Sequence, residues 1–397
     1  MLHAKAATNR EPHDFSLVVG GPLYSAYLRT HLTDTQLGLV PRRLLAFFLI
    51  TWAPLCVLSV IDTGAAHATV SFFGDIDAHA RLLIALPLLV IAEPIVHERL
   101  TLVVRQFVDR GLIAPADLKR YAAAVISSVK LRNSATLEAL VLVVAIVGGH
   151  WLWQTQMLNV GTWYNDRAAD GTTRLTLAGR WYVFVSLPIF RFLAFRWLAR
   201  LIVVWYRFLW LVSRIPLRLN ALHPDRMGGL GFLNASPFAF VPILVADTSL
   251  LSALIAERIW HEGATLPEFK FEILAVVAFL MLLVLFPQMF FGFQLERAWR
   301  CGAADYGVLG SHYVDRFRRK WLCAHPHTRE SLVGSADIQS LADLANAFEV
   351  IRGMYLVPIS RDTLLRLAFV IVIPLLPLVL TMIRFEEIVD RAIKILV

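Results

Sequence analysis

The chain has 397 residues, of which 57% are apolar and 17% are charged, and its mean hydropathy is +0.62. Because soluble domains are about 45–50% apolar and about 25% charged, this composition excludes a chain that is water-soluble throughout and indicates a polytopic membrane protein. The net charge of +8 is explained by retention of Lys and Arg on the cytoplasmic side of a membrane, so we do not expect nucleic-acid binding.

The first 42 residues are predicted to form a cytosolic segment. Its 15–38 stretch mixes apolar and aromatic residues with polar ones. This pattern favours a helix that lies in the membrane interface.

Seven stretches are long and apolar enough to cross a bilayer, which requires about 20 residues of helix. They are 43–62, 81–100, 136–156, 181–203, 236–256, 271–293 and 366–384. We therefore predict an all-α fold, a bundle of transmembrane helices with six spans within 43–294. A small helical cytosolic region is expected at 295–365, followed by the seventh span and a C-terminal tail at 366–397. Pro374 and Pro377 leave a re-entrant segment open as the alternative to a full seventh crossing.

The connections between the spans predict the orientation of the bundle. The 63–80 connection contains no Lys or Arg, whereas the 101–135 connection contains six. Basic loops are retained on the cytoplasmic side, so the N-terminus is predicted to be cytoplasmic. An odd number of spans then places the C-terminal tail outside.

The second and fifth spans each contain an acidic residue. Glu93 precedes Pro94 in span two, and Asp247 lies near the centre of span five. Ionisable groups are costly inside a membrane, so both are candidates for handling protons or cations. Each is also a candidate partner for an arginine in span four, and the sequence does not choose between these roles.

Span four carries a series of arginines that leads towards the cytosol. Arg191 lies near its middle, three residues after Pro188, and Arg196 and Arg200 follow at four- to five-residue spacing. One interpretation is a positively lined pathway for anions, or a site for an anionic headgroup. The alternative is that Arg191 pairs with an acid inside the bundle, while the other two arginines extend to the interface.

The connection after span four contains the sequence HPDRMGGLGF at 223–232. Its glycines would let backbone amides approach a phosphate, so a cytosolic ligand loop is one hypothesis. The residues of this loop are Asp225, Arg226, Gly228, Gly229 and Gly231. Because the sequence lacks the Lys and Ser/Thr of a P-loop and does not follow a strand, a tight turn that leads into span five is the alternative.

The cytosolic region contains a predicted amphipathic helix at 337–353, capped by Ser335 or Asp337. Cysteine and histidine residues in and beside this region lack the paired short spacings of a zinc site, so no metal site is predicted. They are Cys301, His312, Cys323, His325 and His327. No spacing typical of a catalytic site occurs. We therefore expect neither enzymatic activity nor a cofactor.

The runs HPDRMGGLGF at 223–232 and GSADIQSLADLANAFEV at 334–350, with their flanking spans, resemble an uncharacterised family of bacterial polytopic inner-membrane proteins. The resemblance covers most of the chain from residue 43 onward. It implies a location in the bacterial inner membrane. It implies no activity and no binding residue, because none is established for that family.

Three functions stay open from the sequence. The first is an anion-permeable ion channel, a homo-oligomer whose pathway includes span four and passes small ions through the lipid bilayer. The second is a secondary transporter or proton-coupled exchanger that uses Glu93 and Asp247. The third is a membrane-anchored signalling or scaffold protein in which 295–365 is the working part.

Overall fold

The computed structural model describes residues 15–34, 37–61, 71–150, 163–167, 173–322 and 334–382. These residues are almost entirely helical, as predicted. In chain order the helices are α1 (Pro22–Arg29), α2 (Val40–Ile61), α3 (Ile76–Asp109), α4 (Pro115–Arg132), α5 (Ala135–Gly148), α6 (177–213), α7 (Leu230–Ala239), α8 (Val241–Glu262), α9 (Leu266–Trp321), α10 (Ala336–Arg352) and α11 (Arg361–Met382). A short antiparallel hairpin precedes α6, with β1 (Asn165–Arg167) paired to β2 (Thr173–Leu175).

Several of these helices are suited to a membrane. Among the described residues, four are long and apolar enough to cross one: α2, α3, α9 and α11. Two bent pairs, α4 with α5 and α7 with α8, raise the number to six if each pair is one span. The multi-pass helical architecture is therefore confirmed, whereas the number of seven spans is not. Predicted span four lies in α6, which carries five arginines and is not among these candidates.

Helix α3 is the centre of the bundle. Half of its most apolar 18-residue stretch is buried, compared with 11% of the corresponding stretch in α2. Helix α8 packs along α3, and α2 and α6 contact α3 as well. The outward faces of the peripheral helices instead expose large apolar side chains, such as Val60 in α2 and Leu274 in α9. Such apolar exposure is what a lipid-facing surface requires.

Local breaks interrupt the regular hydrogen bonding of the long helices. Helix α6 contains π-helical turns at Tyr182–Ser186 and Arg200–Trp205, and α3 contains one at Ala80–Ala85. Such turns are frequent at functional sites, because they displace one residue from the regular helical positions. In α9 a 3₁₀ turn, Phe286–Phe291, surrounds Pro287, whose missing N–H breaks the regular pattern.

Residues 15–19 of the N-terminal segment lie inside the bundle and not on its surface. Phe15 to Val19 are irregular in conformation and at most 4% exposed. Thr101 Oγ1 donates to Phe15 O at 2.9 Å, and Arg132 Nη1 donates to Ser16 O at 2.6 Å. The predicted interfacial helix over 15–38 is thus reduced to the eight residues of α1. Because side chains of α3 and α4 donate to carbonyl oxygens of residues 15–19, this stretch can be buried without forming a helix.

The connections predicted to be cytoplasmic meet at one end of the bundle. Arg218 N, in the connection after α6, donates at 2.8 Å to Leu112 O, in the connection after α3. Tyr355 N, after α10, donates to Arg226 O at 2.8 Å. These contacts join three sequence-distant connections, which must therefore lie on the same side of any membrane.

Helix α10 packs against the second half of α9. It begins where Ser335 Oγ accepts from Asp337 N, so Ser335 is the cap and the predicted helix at 337–353 is observed at Ala336–Arg352. Lys320 Nζ and Asp337 Oδ2 pair at 2.8 Å between the two helices.

Candidate functional site

Five charged side chains from four helices meet in the interior of the bundle. They are Arg43 of α2, Glu93 of α3, Glu138 of α5, and Arg196 and Arg200 of α6. None is more than 8% exposed. We call these five residues the charge cluster. Arginines one helical turn apart share a face, which is why α6 supplies two members.

Glu93 is held by two arginines. Arg43 Nη1 donates to Oε2 of Glu93, and Arg196 Nη1 donates to Oε1 at 2.9 Å. Arg43 also donates from Nη2 to Leu37 O at 2.9 Å. Glu93 therefore links α2, α3 and α6 through its two carboxylate oxygens.

Glu138 connects α6 to the N-terminal segment. Its Oε1 accepts from Arg196 Nε at 3.3 Å and lies 3.6 Å from Arg200 Nη2. Its Oε2 accepts from Leu23 N at 2.9 Å, in the first turn of α1. The helix that carries Glu138 starts one turn earlier, where Ser134 caps α5 by accepting from Leu137 N.

The charge cluster has a positive charge in excess. Within the described residues, three guanidinium groups share two carboxylates. Arg stays protonated in proteins. Three buried nitrogens, Arg43 Nε, Arg196 Nη2 and Arg200 Nη1, have no hydrogen-bond partner in this part of the chain. A buried donor without a partner is costly, so the cluster has both charge and hydrogen-bonding capacity for an anion.

Tyr27 of α1 adds a hydroxyl beside the charge cluster. Its ring lies under the Arg43 guanidinium, 5.8 Å from centroid to Cζ, and its buried hydroxyl has no partner among the described residues. Burial raises the pKa of Tyr27, and the nearby Glu93 carboxylate raises it further. The hydroxyl therefore stays protonated and is a further neutral donor.

Two groups of buried residues pack next to the charge cluster. In the N-terminal segment, Gly20 O accepts from Arg200 Nη2 at 3.4 Å. Gly20 has a φ of +138°, and a Cβ there would lie 2.2 Å from Asn133 Oδ1, so only glycine allows this close approach. Trp197, next to Arg196, donates to Leu89 O at 2.9 Å within a buried apolar layer, one helical turn before Glu93 on α3.

Arg191 lies apart from the charge cluster. It is half-buried and packs against Gly149, where a Cβ would lie 2.3 Å from Arg191 Nη1. Within the described ranges it makes no ion pair, and in particular none with Asp247. The predicted arginine series is therefore divided. Arg196 and Arg200 neither line an open path nor extend to the interface, but are buried against two glutamates.

Asp247 lies on α8 and is outside the charge cluster. In the described part of the chain its carboxylate has no hydrogen-bond or ion-pair partner. Of the two acids singled out in the spans, only Glu93 is therefore engaged by arginine.

Backbone N–H groups of the glycine-rich loop donate to the carboxylate of Asp225, a residue of the same loop. The Asp225 carboxylate accepts from Met227 N at 2.8 Å, Gly229 N at 3.2 Å and Gly231 N at 2.8 Å. Gly228 and Gly229 have φ values of +64° and +101°, and Arg226 has a φ of +55°. Two of the three glycine amides considered for a phosphate, those of Gly229 and Gly231, are thus occupied by an internal carboxylate, and the loop forms the tight turn that leads into α7.

Two members of the charge cluster were missed in the sequence. Glu138 lies two residues inside predicted span three, and its charge within a span was a signal that could have identified it. Arg43 is the first residue of predicted span one, a position at which a basic residue is expected at the membrane interface. Its burial depends on Glu93, which is 50 residues away, and no local pattern reveals that contact.

No set of three or more His, Cys, Asp or Glu side chains in the described ranges could hold a metal ion. Cys323, His325 and His327 lie outside those ranges. No protein-family model matches this chain, and no curated protein or solved structure matches it.

Proposed function

We propose that the protein carries a small monovalent inorganic anion across the bacterial inner membrane, as a secondary transporter whose binding site is the charge cluster. The observation that carries this proposal is the excess guanidinium, together with the three buried nitrogens that lack partners. One monovalent anion would balance that charge. It would also accept from the nitrogens that the glutamates leave free.

The energetics of burial support an anionic ligand. A charge buried without a partner is strongly destabilising, by about 3–5 kcal/mol when one member of a buried pair is removed. Arg43, Arg196 and Arg200 are each at most 3% exposed, so water does not screen them. An anion that entered the cluster would gain from this field, whereas a cation would be repelled.

The position of the cluster favours a carrier over an open channel. An ion channel needs a continuous polar path, commonly around an oligomer axis, whereas a carrier encloses its substrate within one chain. Here the N-terminal segment and the apolar layer around Trp197 pack against the cluster, and none of its five side chains is more than 8% exposed. Release towards the N-terminal side would require movement of residues 15–29.

Asp247 is our candidate for proton coupling. Glu93 is bound to two arginines, which stabilise its charged form. Asp247 has no such partner in the described residues and lies on a helix that packs along α3. Anion transport with a proton would use Asp247 in preference to Glu93.

A structural role is the second candidate. The same ion pairs join α2, α3, α5 and α6 to the N-terminal segment, and both oxygens of Glu93 are occupied. A scaffold protein would use the cluster only to hold these elements together. It would then bind no anion.

Reconstitution in liposomes separates these functions. We expect chloride uptake without potassium uptake, and a melting temperature in detergent that rises with chloride concentration, because a ligand of the native state stabilises it. Arg200→Gln removes the excess charge while Arg196 still holds both glutamates. Loss of a charged hydrogen bond should lower chloride affinity about tenfold or more. Arg316→Gln, an exposed site on α9, is the matched control.

The outcomes are distinct. Folded protein with neither chloride uptake nor a chloride-dependent melting temperature would overturn anion binding and leave the scaffold. Chloride uptake that Arg200→Gln leaves unchanged would show that the anion uses another path. Rapid chloride conductance that does not saturate would favour the channel over the carrier.

A further inference from the structure

A groove on the surface of α6 lies away from the interior charge cluster. It has a volume of about 360 Å³ and is formed by α6, the end of α4 and the 3₁₀ turn of α9. Its apolar walls are Leu131, Ile202, Val203 and Phe290. If α6 crosses the bilayer as the sequence predicts, an apolar surface of this kind is suited to an acyl chain.

One end of the groove is basic and aromatic. Arg207 and Trp210 line this end, and the Arg214 guanidinium lies over the Trp210 ring at 5.1 Å from the centroid. Arg207 is exposed and uses Nη2 to donate to Ser127 Oγ at 3.3 Å. A guanidinium has five N–H donors, so most of those of Arg207 remain available to a ligand.

The basic end of the groove is at the end of the bundle where the basic connections meet. Helix α6 ends at Ser213, and Ile215 and Leu217, directly after it, contact Gln294 and Ile113. Membrane proteins place arginine and tryptophan at the headgroup level of the cytoplasmic leaflet. Basic pockets between helices on that side bind anionic lipid headgroups.

We propose that this groove binds one anionic phospholipid of the cytoplasmic leaflet. Arg207 and Arg214 bind its phosphate, Trp210 lies beside the glycerol region, and one acyl chain covers Ile202 and Val203. Two arginines at the rim with no acid among the lining residues favour a headgroup with net negative charge over a zwitterionic one. The apolar walls distinguish a lipid from free phosphate, which would gain nothing from them.

Native mass spectrometry of the full chain in detergent tests this proposal. We expect retention of phosphatidylglycerol in preference to phosphatidylcholine. Arg207→Gln should weaken phosphatidylglycerol binding about fivefold, the effect typical of one basic residue at an anionic membrane surface. Arg316→Gln is the control, because it removes the same charge far from the groove. Arg316 lies about 36 Å along α9 from Gly292, which directly follows the 3₁₀ turn that forms part of the groove.

A second variant and a soluble probe test the acyl chain. Val203→Trp fills the apolar part of the groove without changing charge, and it should also reduce phosphatidylglycerol binding. Inorganic phosphate should not compete with the lipid. Equal binding of the two lipids, or equal effects of Arg207→Gln and Arg316→Gln, would overturn the proposal. Competition by inorganic phosphate would show that the site recognises a free anion.

Discussion

Arg196 and Glu93 are joined by a hydrogen bond of 2.9 Å, although 103 residues separate them and neither side chain is more than 3% exposed. The bond fastens α6 to the central helix α3. Buried ion pairs of this kind contribute little net stability compared with apolar packing, but removal of one partner is costly. In the proposed anion site these charges would act directly on the ligand, which apolar residues at the same positions would not do.

Glu93→Gln should destabilise the protein strongly. The change leaves Arg43 and Arg196 buried with one carboxylate fewer, which costs about 3–5 kcal/mol in buried pairs. Thermal unfolding in detergent measures the loss. Glu296→Gln is the control, since Glu296 pairs with Arg300 on an exposed part of α9 and such pairs contribute about 0–1 kcal/mol. Similar melting temperatures for the two variants would show that Glu93 is not needed by its arginines.

Arg191→Leu and Asp247→Leu should have independent effects. The described structure shows no ion pair between these residues, so neither change leaves the other charge without its partner. We expect the losses in unfolding free energy to add within about 0.5 kcal/mol. A double variant more stable than the sum of the single changes would reveal a coupling that this conformation lacks.

The sequence predicts which helices form better than it predicts the contacts between them. Long apolar stretches identify most of the membrane helices, and the spacing of Ile338, Leu341 and Leu344 identifies α10 within one residue. Charge inside a span also singled out Arg196, Arg200 and Glu93. These signals are local, because each depends only on neighbouring residues.

The pairing within the charge cluster could not be predicted in the same way. Which acid meets which arginine depends on how α3, α5 and α6 pack, so Asp247 and Glu93 were equivalent candidates for Arg191. The burial of residues 15–19 is also a tertiary effect. Their apolar composition suits a membrane interface equally well, and an irregular buried backbone is acceptable there because side chains such as Thr101 and Arg132 donate to it.

Gly20→Ala should loosen the N-terminal segment from the charge cluster. Its φ of +138° strains any L-residue, and the added Cβ would meet Asn133 and Arg132. Strain of this kind costs about 1–3 kcal/mol. Limited proteolysis should then cleave residues 15–29 faster than in the unchanged protein. Gly263→Ala is the control, because its φ is +69° but nothing lies within 4 Å of the new Cβ. Equal cleavage of both variants would contradict the close fit at Gly20.

Asp225→Asn should destabilise the turn after α6, and more so at neutral than at acidic pH. Burial alone would raise the pKa of Asp225, but the backbone N–H groups of Met227, Gly231 and Gly229 lower it below its ordinary value. A carboxyl group with a depressed pKa stabilises the fold above its unfolded pKa of about 3.9. That stability is lost as the pH falls through the folded-state pKa.

Melting temperatures measured across this pH range test the effect at Asp225. The cost of Asp225→Asn should be about 2 kcal/mol at neutral pH, the value of hydrogen bonds to a charged group. It should shrink on acidification, when the unchanged protein also loses its carboxylate. A difference that stays constant to low pH would mean that the charge of Asp225 contributes nothing.

The contacts between connections also predict which residues share a side of the membrane. Arg218 and Arg352 lie at the end of the bundle where Leu112, Arg226 and Tyr355 meet. Gly263 follows α8, whose 22 residues extend about 33 Å from that end. Arg180 lies in the first turn of α6, next to the hairpin, whereas Arg218 follows the end of the same helix.

Single cysteines, introduced after Cys56, Cys301 and Cys323 are replaced by alanine, test this arrangement in intact cells. A membrane-impermeant maleimide should label Arg180→Cys and Gly263→Cys from outside, and should label Arg218→Cys and Arg352→Cys only after the cells are opened. The reason is that basic connections are retained in the cytoplasm. Labelling of Gly263→Cys only in opened cells would show that the bent pair α7 and α8 is a re-entrant loop. Labelling of Arg180→Cys and Arg218→Cys from the same side would show that α6 does not cross, and would remove the charge cluster from the transport path.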